Sequence, residues 1–388
     1  MTTVLLLPLS NVLGHLTRTF ALAEEFDAQG HRVVVATDPT YAALAALLPP
    51  RISVVPTPEM DPEAARSFGP IRHFRRGAME DRENLESSRL AAAEIRLRGQ
   101  RMAAMVERDS AIVEAVRPDA LITDYRFTPA LFALPKDVAL FHVSHVLGFP
   151  SFFRRTTQTD FFPLDTGHIL VPGIDEIEYG GDGAAPENPR RRETLCGPFR
   201  WNGWARLYLD GAPPPPARVF LFFGSTGNSE GIVPHLLRTL ADRHTVSAIA
   251  TGFEQDRPGT HIVPSGDLER FIDSADIVFC HGGHGTVMEC IIRRKPMVIF
   301  PHNIEQLEIG IAIEKLGLGI LMKRPFGELD RAALDEAIDR VASDDRIAAR
   351  LATYSARLAQ EDGAKQAVAT VLNSLADPDD LAFAHARR

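Results

Sequence analysis

The sequence contains few cysteines, and their positions exclude several kinds of site. Only three of the 388 residues are cysteine, and Cys196, Cys280 and Cys290 have neither the spacing of a metal site nor that of a redox pair. Two of them fall in segments that we predict to be a buried strand and the helix after it. We therefore expect free thiols in a reducing compartment, and we predict a cytoplasmic protein.

An excess of positive charge and long apolar runs are also missing. The net charge of −9 at pH 7 argues against nucleic-acid partners and against binding to an anionic membrane, because both need a basic surface. No apolar run reaches the length of a transmembrane segment, and residues 2–8 lack the features of a signal peptide. We expect this N-terminal segment to be the first strand of a soluble enzyme.

Short apolar runs alternate with helical segments in two series along the chain. Strands are predicted at Val4–Leu7, His31–Thr37, Ile52–Pro56, Ala120–Thr123 and Ala139–Val143, and again at Val219–Phe223, Thr245–Thr251, His261–Pro264, Ile277–Cys280, Pro296–Phe300 and Gly319–Met322. Helices are predicted between them, including residues 83–116. The fold class is therefore α/β, with two Rossmann-like parallel-sheet domains.

A proline run marks the boundary between the two series. Gly211–Pro216 ends in four consecutive prolines, which can form neither helix nor central strand and make a stiff spacer. We predict an N-terminal domain at residues 1–210, a second domain at 211–375 and a tail at 376–388. Residues 145–212 have no clear periodicity and are predicted to be loops.

The second series contains a glycine turn between a strand and a helix. The strand Ile277–Cys280 is followed by His281-Gly282-Gly283-His284-Gly285-Thr286 and then by a helix. Glycines at such a turn let the backbone approach a ligand, and the free N–H groups of the first helical turn favour negative charge. The turn is therefore a candidate phosphate site.

The segment from His281 to Gln306 resembles the signature of the UDP-glycosyltransferase family, whose nucleotide-sugar-dependent enzymes have a two-domain fold called GT-B with a cleft between the domains. The matching positions are His281, Glu289, Pro296, Pro301, Glu305 and Gln306. The resemblance implies that the donor diphosphate is held by His281 and by Gly283, His284, Gly285 and Thr286. It also implies that Glu289 bonds the ribose hydroxyls and that Glu305, where the family usually has Asp, bonds sugar hydroxyls with Gln306.

Other interpretations of this segment are weaker. A dinucleotide fingerprint needs a third glycine where Met288 stands, and the acidic residue would lie beyond the second strand. The Lys-Ser/Thr pair of a P-loop is absent. A structural turn without a ligand is the remaining alternative.

Two residues of the first series are candidates for acid–base chemistry. Gly14-His15 resembles the Gly-His that opens the family's first helix and carries its base, and Gly14 joins the donor-binding candidates. Asp124, at a strand end, resembles the Asp that orients this histidine. A histidine is mostly neutral at pH 7 and can take a proton from a hydroxyl. The family often has proline just after this site, where Thr17-Arg18 stands. Taken alone, His15 could be a histidine at a helix start without chemistry, and Asp124 could be a capping or turn aspartate.

A third patch, Gly224-Ser225-Thr226, ends the first strand of the second series and resembles the family's loop that faces the diphosphate. Many relatives place tryptophan near Val263 to stack on the base, whereas the two tryptophans here are Trp201 and Trp204. The base therefore stays open, with UDP and dTDP as candidates.

The resemblance implies an inverting glycosyltransferase that needs neither a metal nor a resident cofactor and uses a nucleotide-sugar donor and a small-molecule acceptor. Its general style is that of bacterial enzymes that glycosylate natural products such as antibiotics, and a lipid-linked acceptor is the alternative. A nucleotide-sugar hydrolase or epimerase, or a binding protein without catalysis, would have the same donor site. Two arginine clusters, at residues 72–76 and 190–192, are either an anionic-acceptor site or solvated surface. The oligomeric state is not predicted.

Overall fold

The structure is a computed structural model that describes residues 1–9, 13–57, 103–126, 128–130, 133–135, 137–145, 167–180, 191–208, 211–224, 229–250, 258–302, 304–323 and 329–377. Ser225, Thr226 and the predicted tail beyond Asp377 lie outside the described residues, as do residues 83–102 of the predicted helical stretch and the arginine cluster at 72–76. Residues 103–116 of that stretch are helical.

Thirteen strands are present in the described part of the chain. They are β1 (Thr3–Pro8), β2 (Arg32–Thr37), β3 (Ser53–Pro56), β4 (Ala120–Asp124), β5 (Ala139–Val143), β6 (Gly167–Val171), β7 (Arg191–Leu195), β8 (Ala217–Phe222), β9 (Val246–Ile249), β10 (Thr260–Val263), β11 (Ala275–Cys280), β12 (Met297–Ile299) and β13 (Gly319–Leu321).

The α-helices are α1 (Leu13–Ala28), α2 (Ala42–Ala45), α3 (residues 103–116), α4 (Asp175–Glu178), α5 (Gly203–Leu207), α6 (Ser229–Leu240), α7 (Leu268–Ser274), α8 (His284–Ile292), α9 (Ile304–Leu316), α10 (Arg331–Ser343), α11 (Asp345–Leu358) and α12 (Gly363–Ala376). Two 3₁₀ turns lie at Pro39–Tyr41 and Thr128–Ala130. None of the helices that the structure describes is long and apolar enough to cross a membrane.

The strands form two parallel sheets, which confirms the predicted fold class. The first sheet has the order β3-β2-β1-β4-β5-β6-β7 and the second has the order β10-β9-β8-β11-β12-β13. Strands β4 and β5 are buried along their whole length, as expected for apolar runs in a sheet with both faces covered. The predicted domain boundary near residue 210 lies between the last strand of one sheet and the first strand of the other.

The prediction of loops throughout residues 145–212 was wrong at β6, β7, α4 and α5. Strands β6 and β7 pair in parallel from Gly167 with Arg191 to Val171 with Leu195. The sequence of β7 explains the error there, because it begins Arg191-Arg192-Glu193 and lies at the edge of the sheet. An edge strand with charged residues lacks the apolar signature of the central strands.

The last helix, α12, returns to the first domain. Its residues Ala364, Ala367, Val368 and Val371 belong to the same apolar core as β1, β2, β4 and α1, and α12 packs directly on α1.

Each sheet changes its direction of strand order at one point, and this point positions the candidate site. In the first sheet the change falls between the neighbours β1 and β4, and in the second between β8 and β11. Open parallel sheets bind ligands at the carboxyl ends of the strands where the order reverses. His15 and Asp124 follow β1 and end β4, while Gly224 and the His281–Thr286 turn follow β8 and β11.

Candidate active site

His15 and Asp124 are in direct contact. His15 lies in the first turn of α1 and Asp124 ends β4, and His15 Nδ1 lies 2.7 Å from Asp124 Oδ1. The Asp124 side chain is 1% exposed and the His15 side chain 13% exposed. The buried carboxylate can therefore hold one ring nitrogen while the ring stays accessible to a ligand.

Arg18 completes this pair, and the sequence did not predict it. Arg18 Nε donates to Asp124 Oδ2 at 3.0 Å and an Arg18 terminal nitrogen donates to Asp124 Oδ1 at 2.8 Å. The same terminal nitrogen lies 2.6 Å from His15 Nδ1. Burial alone would raise the pKa of Asp124, but the charges and hydrogen bonds of Arg18 and His15 outweigh burial and hold that pKa below its usual range. Asp124 is therefore a carboxylate shared by two cationic or donating partners.

The signal for Arg18 was present as an arginine three residues after His15, one helical turn along the same face. It stands in the stretch where the family often has proline. Only the contact with β4, more than 100 residues away, shows what its side chain does.

Tyr125 follows Asp124 in a backbone conformation that is uncommon for a side chain of its size. Its φ of 53° lies in the left-handed region, which costs energy for residues other than glycine and is concentrated at functional sites. The turn places the Tyr125 ring 4.8 Å from the His15 ring and 5.4 Å from the His145 ring, measured between centroids. Burial raises the pKa of Tyr125 well above its ordinary value, and the nearby Glu305 raises it further.

The glycine turn of the second sheet is built around the ring of His281. A Cβ atom on Gly283 would lie 2.6 Å from His281 Nε2, and one on Gly224 would lie 2.8 Å from His281 Cε1. Both positions therefore require glycine while the ring stays in place. Burial lowers the pKa of His281 to about 3, so the ring is neutral at pH 7.

The N-terminus of α8 is open to a ligand. No side chain caps it and no acidic residue lies in its first turn, and a Cβ atom on Gly285 would meet nothing within 4 Å. Its first backbone N–H groups lack the intrahelical partners of later turns and can bind an anion. Thr286 and His284 lie in this same turn and are buried.

Glu289 is held by two arginines. Arg200 Nε donates to Glu289 Oε1 at 2.9 Å, and Arg293 Nε donates to Glu289 Oε2 at 3.2 Å. Arg200 lies between β7 and α5, in the connector that leads from the first sheet to the second. This contact therefore joins the connector to helix α8. The predicted ribose contact of Glu289 stays a prediction.

Glu305 and Gln306 open α9. Gln306 Oε1 accepts a hydrogen bond from the backbone N–H of His302 at 2.8 Å. Glu305 Oε1 lies 3.6 Å from His145 Nε2, and burial raises the pKa of Glu305 above its usual value although His15 and Arg18 act in the opposite direction. Because His145 follows β5, this contact connects the carboxyl edges of the two sheets.

The remaining predicted residues lie at the periphery of this site. Gly14 is exposed in the first turn of α1, and its carbonyl accepts a hydrogen bond from Thr17 Oγ1 at 3.3 Å. Val263 ends β10, which lies two strands from β8 at the same carboxyl edge of the second sheet.

His145 and Glu178, which sequence reasoning missed, contact the predicted residue His284. His284 Nε2 lies 2.7 Å from Glu178 Oε1 in α4, and the rings of His284 and His145 lie 4.5 Å apart between centroids. The residues in these contacts lie more than 100 positions apart in the chain, so no local sequence pattern predicts the contacts. The two sheet edges therefore meet in a buried group of ionisable side chains.

Comparison with known proteins identifies the class to which this architecture belongs. The whole chain superimposes on the spinosyn rhamnosyltransferase SpnG with a TM-score of 0.67 and 20% identity, covering 96% of this chain and all of SpnG. The calicheamicin glycosyltransferase CalG4 gives a TM-score of 0.65 at 17% identity, over 97% and 99% of the two chains. These likenesses show that the chain has the two-domain GT-B fold.

Sequence matches agree with this class and concentrate in the second domain. Residues 252–367 match the glycosyltransferase family 28 C-terminal domain. The NDP-glycosyltransferase YjiC of Bacillus subtilis is 29% identical over 100 residues, which are 26% of this chain and 25% of YjiC. A PGL/p-HBAD biosynthesis rhamnosyltransferase of Mycobacterium bovis is 22% identical over 368 residues, covering 80% of this chain and 74% of that protein. The chain thus matches only about a quarter of the length of YjiC.

Proposed function

We propose that the protein is an inverting, metal-independent glycosyltransferase that moves a sugar from a UDP- or dTDP-linked donor to a hydroxyl of a small natural-product acceptor. The observation that carries the proposal is the meeting of two half-sites. A histidine–aspartate pair lies at the strand-order reversal of the first sheet, and an uncapped glycine turn lies at that of the second. His145 contacts Glu305 and His284 across the seam, where the carboxyl edges of the two sheets meet.

In the proposed reaction, His15 acts as the general base. Asp124 accepts a hydrogen bond from Nδ1–H of His15, so that Nε2 takes the proton of the acceptor hydroxyl. The acceptor oxygen forms a bond to the anomeric carbon from the face opposite the nucleotide, and the bond from that carbon to the phosphate oxygen breaks. This displacement inverts the anomeric configuration and leaves a nucleoside diphosphate.

The charge that develops on the leaving diphosphate needs hydrogen-bond donors fixed in advance. The backbone N–H groups at the start of α8 and the His281 ring fit this role, because the helix end is uncapped and the ring lies against both Gly224 and Gly283. No step of this scheme uses a metal or a resident cofactor.

The proposed donor base and acceptor are supported by structures of SpnG in complexes. SpnG has been crystallised with thymidine diphosphate and with the spinosyn aglycone, which favours dTDP and a natural-product acceptor over a lipid-linked one. A cytoplasmic location is supported by three cysteines that are buried free thiols.

The first experiment measures thermal unfolding with UDP, dTDP, GDP and NAD. A ligand at 100 times its dissociation constant adds about 2.7 kcal/mol to the free energy of unfolding. We expect a shift with UDP or dTDP and none with NAD, whereas stabilisation by NAD alone would contradict the proposal.

A second experiment separates transfer from the alternatives. Donor turnover is measured with and without a panel of hydroxylated acceptors, in EDTA, and the anomeric configuration of the product is read by NMR. We expect acceptor-dependent turnover that survives EDTA and gives the inverted product. Full consumption of the donor without an acceptor would indicate a hydrolase or epimerase, and nucleotide binding without turnover would indicate a binding protein.

A further inference from the structure

Three buried side chains at the seam between the sheets have the composition of a metal site. His145, Glu178 and His284, which we call the seam cluster, each offer one ligand atom, and these atoms all lie within 4.8 Å of one another. The three residues are at most 5% exposed. We propose that the seam cluster binds one divalent cation of the zinc type.

The backbone around the cluster is shaped to admit Glu178. A Cβ atom on Gly173 would lie 1.8 Å from Glu178 Oε1 and 2.8 Å from His284 Nε2. Any other residue at position 173 would therefore displace the carboxylate from the imidazole. The close approach of the Gly173 backbone lets α4 deliver an acidic side chain to the first residue of α8.

The donor atoms suit zinc better than harder cations. Two imidazoles and one glutamate form a known zinc ligand set, whereas Mg²⁺ and Ca²⁺ prefer oxygen ligands. Two imidazoles on one zinc at bond lengths of about 2 Å place their ring centroids about 5 Å apart. The centroids of the His145 and His284 rings are 4.5 Å apart, which is close to this spacing.

The placement and charge of the neighbouring groups agree with a cation at this position. Glu178 Oε1 lies 2.7 Å from His284 Nε2, so a carboxylate oxygen and an imidazole nitrogen already lie side by side. Glu305 Oε1 lies 3.6 Å from His145 Nε2, so a second carboxylate stands beside the cluster without being one of its three ligands. A divalent cation would add positive charge next to Glu178 and Glu305.

Such an ion would join the two sheets, because His145 follows β5 of the first and His284 begins α8 of the second. Its role would be to hold the two sheet edges together. His284 is also a candidate for the donor site, so the inference is tested by metal binding itself and not by turnover. The three positions are 33 and 106 residues apart along the chain, and this spacing explains why no metal motif is visible in the sequence.

The test uses the full chain without a histidine tag, stripped with EDTA and then freed of chelator. Zn²⁺ is titrated against a chromogenic zinc chelator to give stoichiometry and affinity, with Mg²⁺ as the hard-cation comparison. We expect one Zn²⁺ per chain and no comparable binding of Mg²⁺. His145→Ala and Glu178→Gln should each weaken zinc binding by roughly 100-fold or more, since even outer-shell partners of a metal cost 10–100-fold.

His244→Ala is the matched control, because His244 also contacts an acidic residue, Asp335 at 3.2 Å, but lies outside the cluster. It should keep the wild-type affinity. Circular dichroism shows whether each variant is folded, and the visible absorption of Co²⁺ bound to the wild type tests for low-symmetry nitrogen and oxygen coordination without any variant. Absence of stoichiometric Zn²⁺ binding, or equal affinity in wild type and His145→Ala, would overturn the proposal.

Discussion

His15, which Asp124 holds by a hydrogen bond, is the proposed general base, and its substitution is the first prediction. His15→Ala removes the group that takes the acceptor proton, so turnover should fall by ~100-fold or more, while nucleotide affinity should stay within a few-fold. Steady-state kinetics and nucleotide titrations measure the two effects separately.

The control for this variant lies in the same helical turn. Thr17→Ala removes a hydroxyl that only donates to the Gly14 carbonyl, and it should leave turnover within a few-fold of wild type. If His15→Ala turns over at the wild-type rate, His15 is not the base.

Arg18 supports Asp124 by charge, and this leads to a prediction about stability. Because the pKa of folded Asp124 is lowered, the ionised carboxylate stabilises the fold above its unfolded pKa, and this contribution is lost as the pH falls through the folded value. Arg18→Met leaves a buried carboxylate with one partner fewer and should lower the free energy of unfolding by about 3 kcal/mol at pH 7. The difference from wild type should shrink as the pH falls below about 4.

Urea unfolding of both proteins across this pH range measures the effect. Arg51→Met is the matched comparison, because Arg51 also pairs with a buried aspartate, Asp27, but its own side chain is 74% exposed. That pair should contribute less than about 1 kcal/mol. A loss in Arg18→Met that is no larger than in Arg51→Met, or that does not change with pH, would contradict the role of Arg18.

At the scale of the element, the sequence predicted the central strands well and the long-range contacts poorly. Strands such as β4 and β11 each contain an apolar run that is buried because both faces of the sheet are covered. The predicted bounds of β4 and β11 differ from the observed ones by one and two residues. Strand β7 escaped prediction because its edge position permits charge. His15 and Asp124 were found through the family resemblance, whereas Arg18, His145 and Glu178 reach the site only through tertiary contacts that no local period encodes.

The turn before α8 offers a matched pair of glycines for a prediction at this scale. In Gly283→Ala the new methyl group would lie 2.6 Å from His281 Nε2, so the buried ring would have to shift from its place beside Gly224. The free energy of unfolding should fall by about 1–3 kcal/mol, which is the cost of overpacking.

Gly285→Ala provides the contrast only two residues away. Its methyl group meets nothing within 4 Å, and alanine is favoured over glycine inside a helix by roughly 0.5–1 kcal/mol. Urea unfolding should therefore show a loss for Gly283→Ala and no loss for Gly285→Ala. Equal losses in both variants would mean that His281 does not fix the turn.

At the scale of the whole molecule, the chain crosses between the two domains more than once. Arg200 in the connector binds Glu289 of the second domain, and Trp201 beside it packs at 5.0 Å on Phe20 of α1. Helix α12 then returns to the first domain after the chain has formed the second sheet. The C-terminal helix should therefore stabilise the half of the molecule that carries the His15–Asp124 pair.

Val368 in α12 allows this to be tested. Its side chain is fully buried in the core shared with α1, so Val368→Asp places a carboxylate in an apolar environment and should cost about 3–4 kcal/mol. Backbone amides should lose protection from hydrogen exchange first in α1 and β1, while the strand and helix at residues 275–292 stay protected.

Gln366→Asp, on the exposed face of the same helix, is the control and should change stability by less than about 0.5 kcal/mol. Loss of protection confined to residues 275–292 in Val368→Asp would show instead that α12 belongs energetically to the second domain, and the His15–Asp124 pair would then not depend on the C-terminal helix.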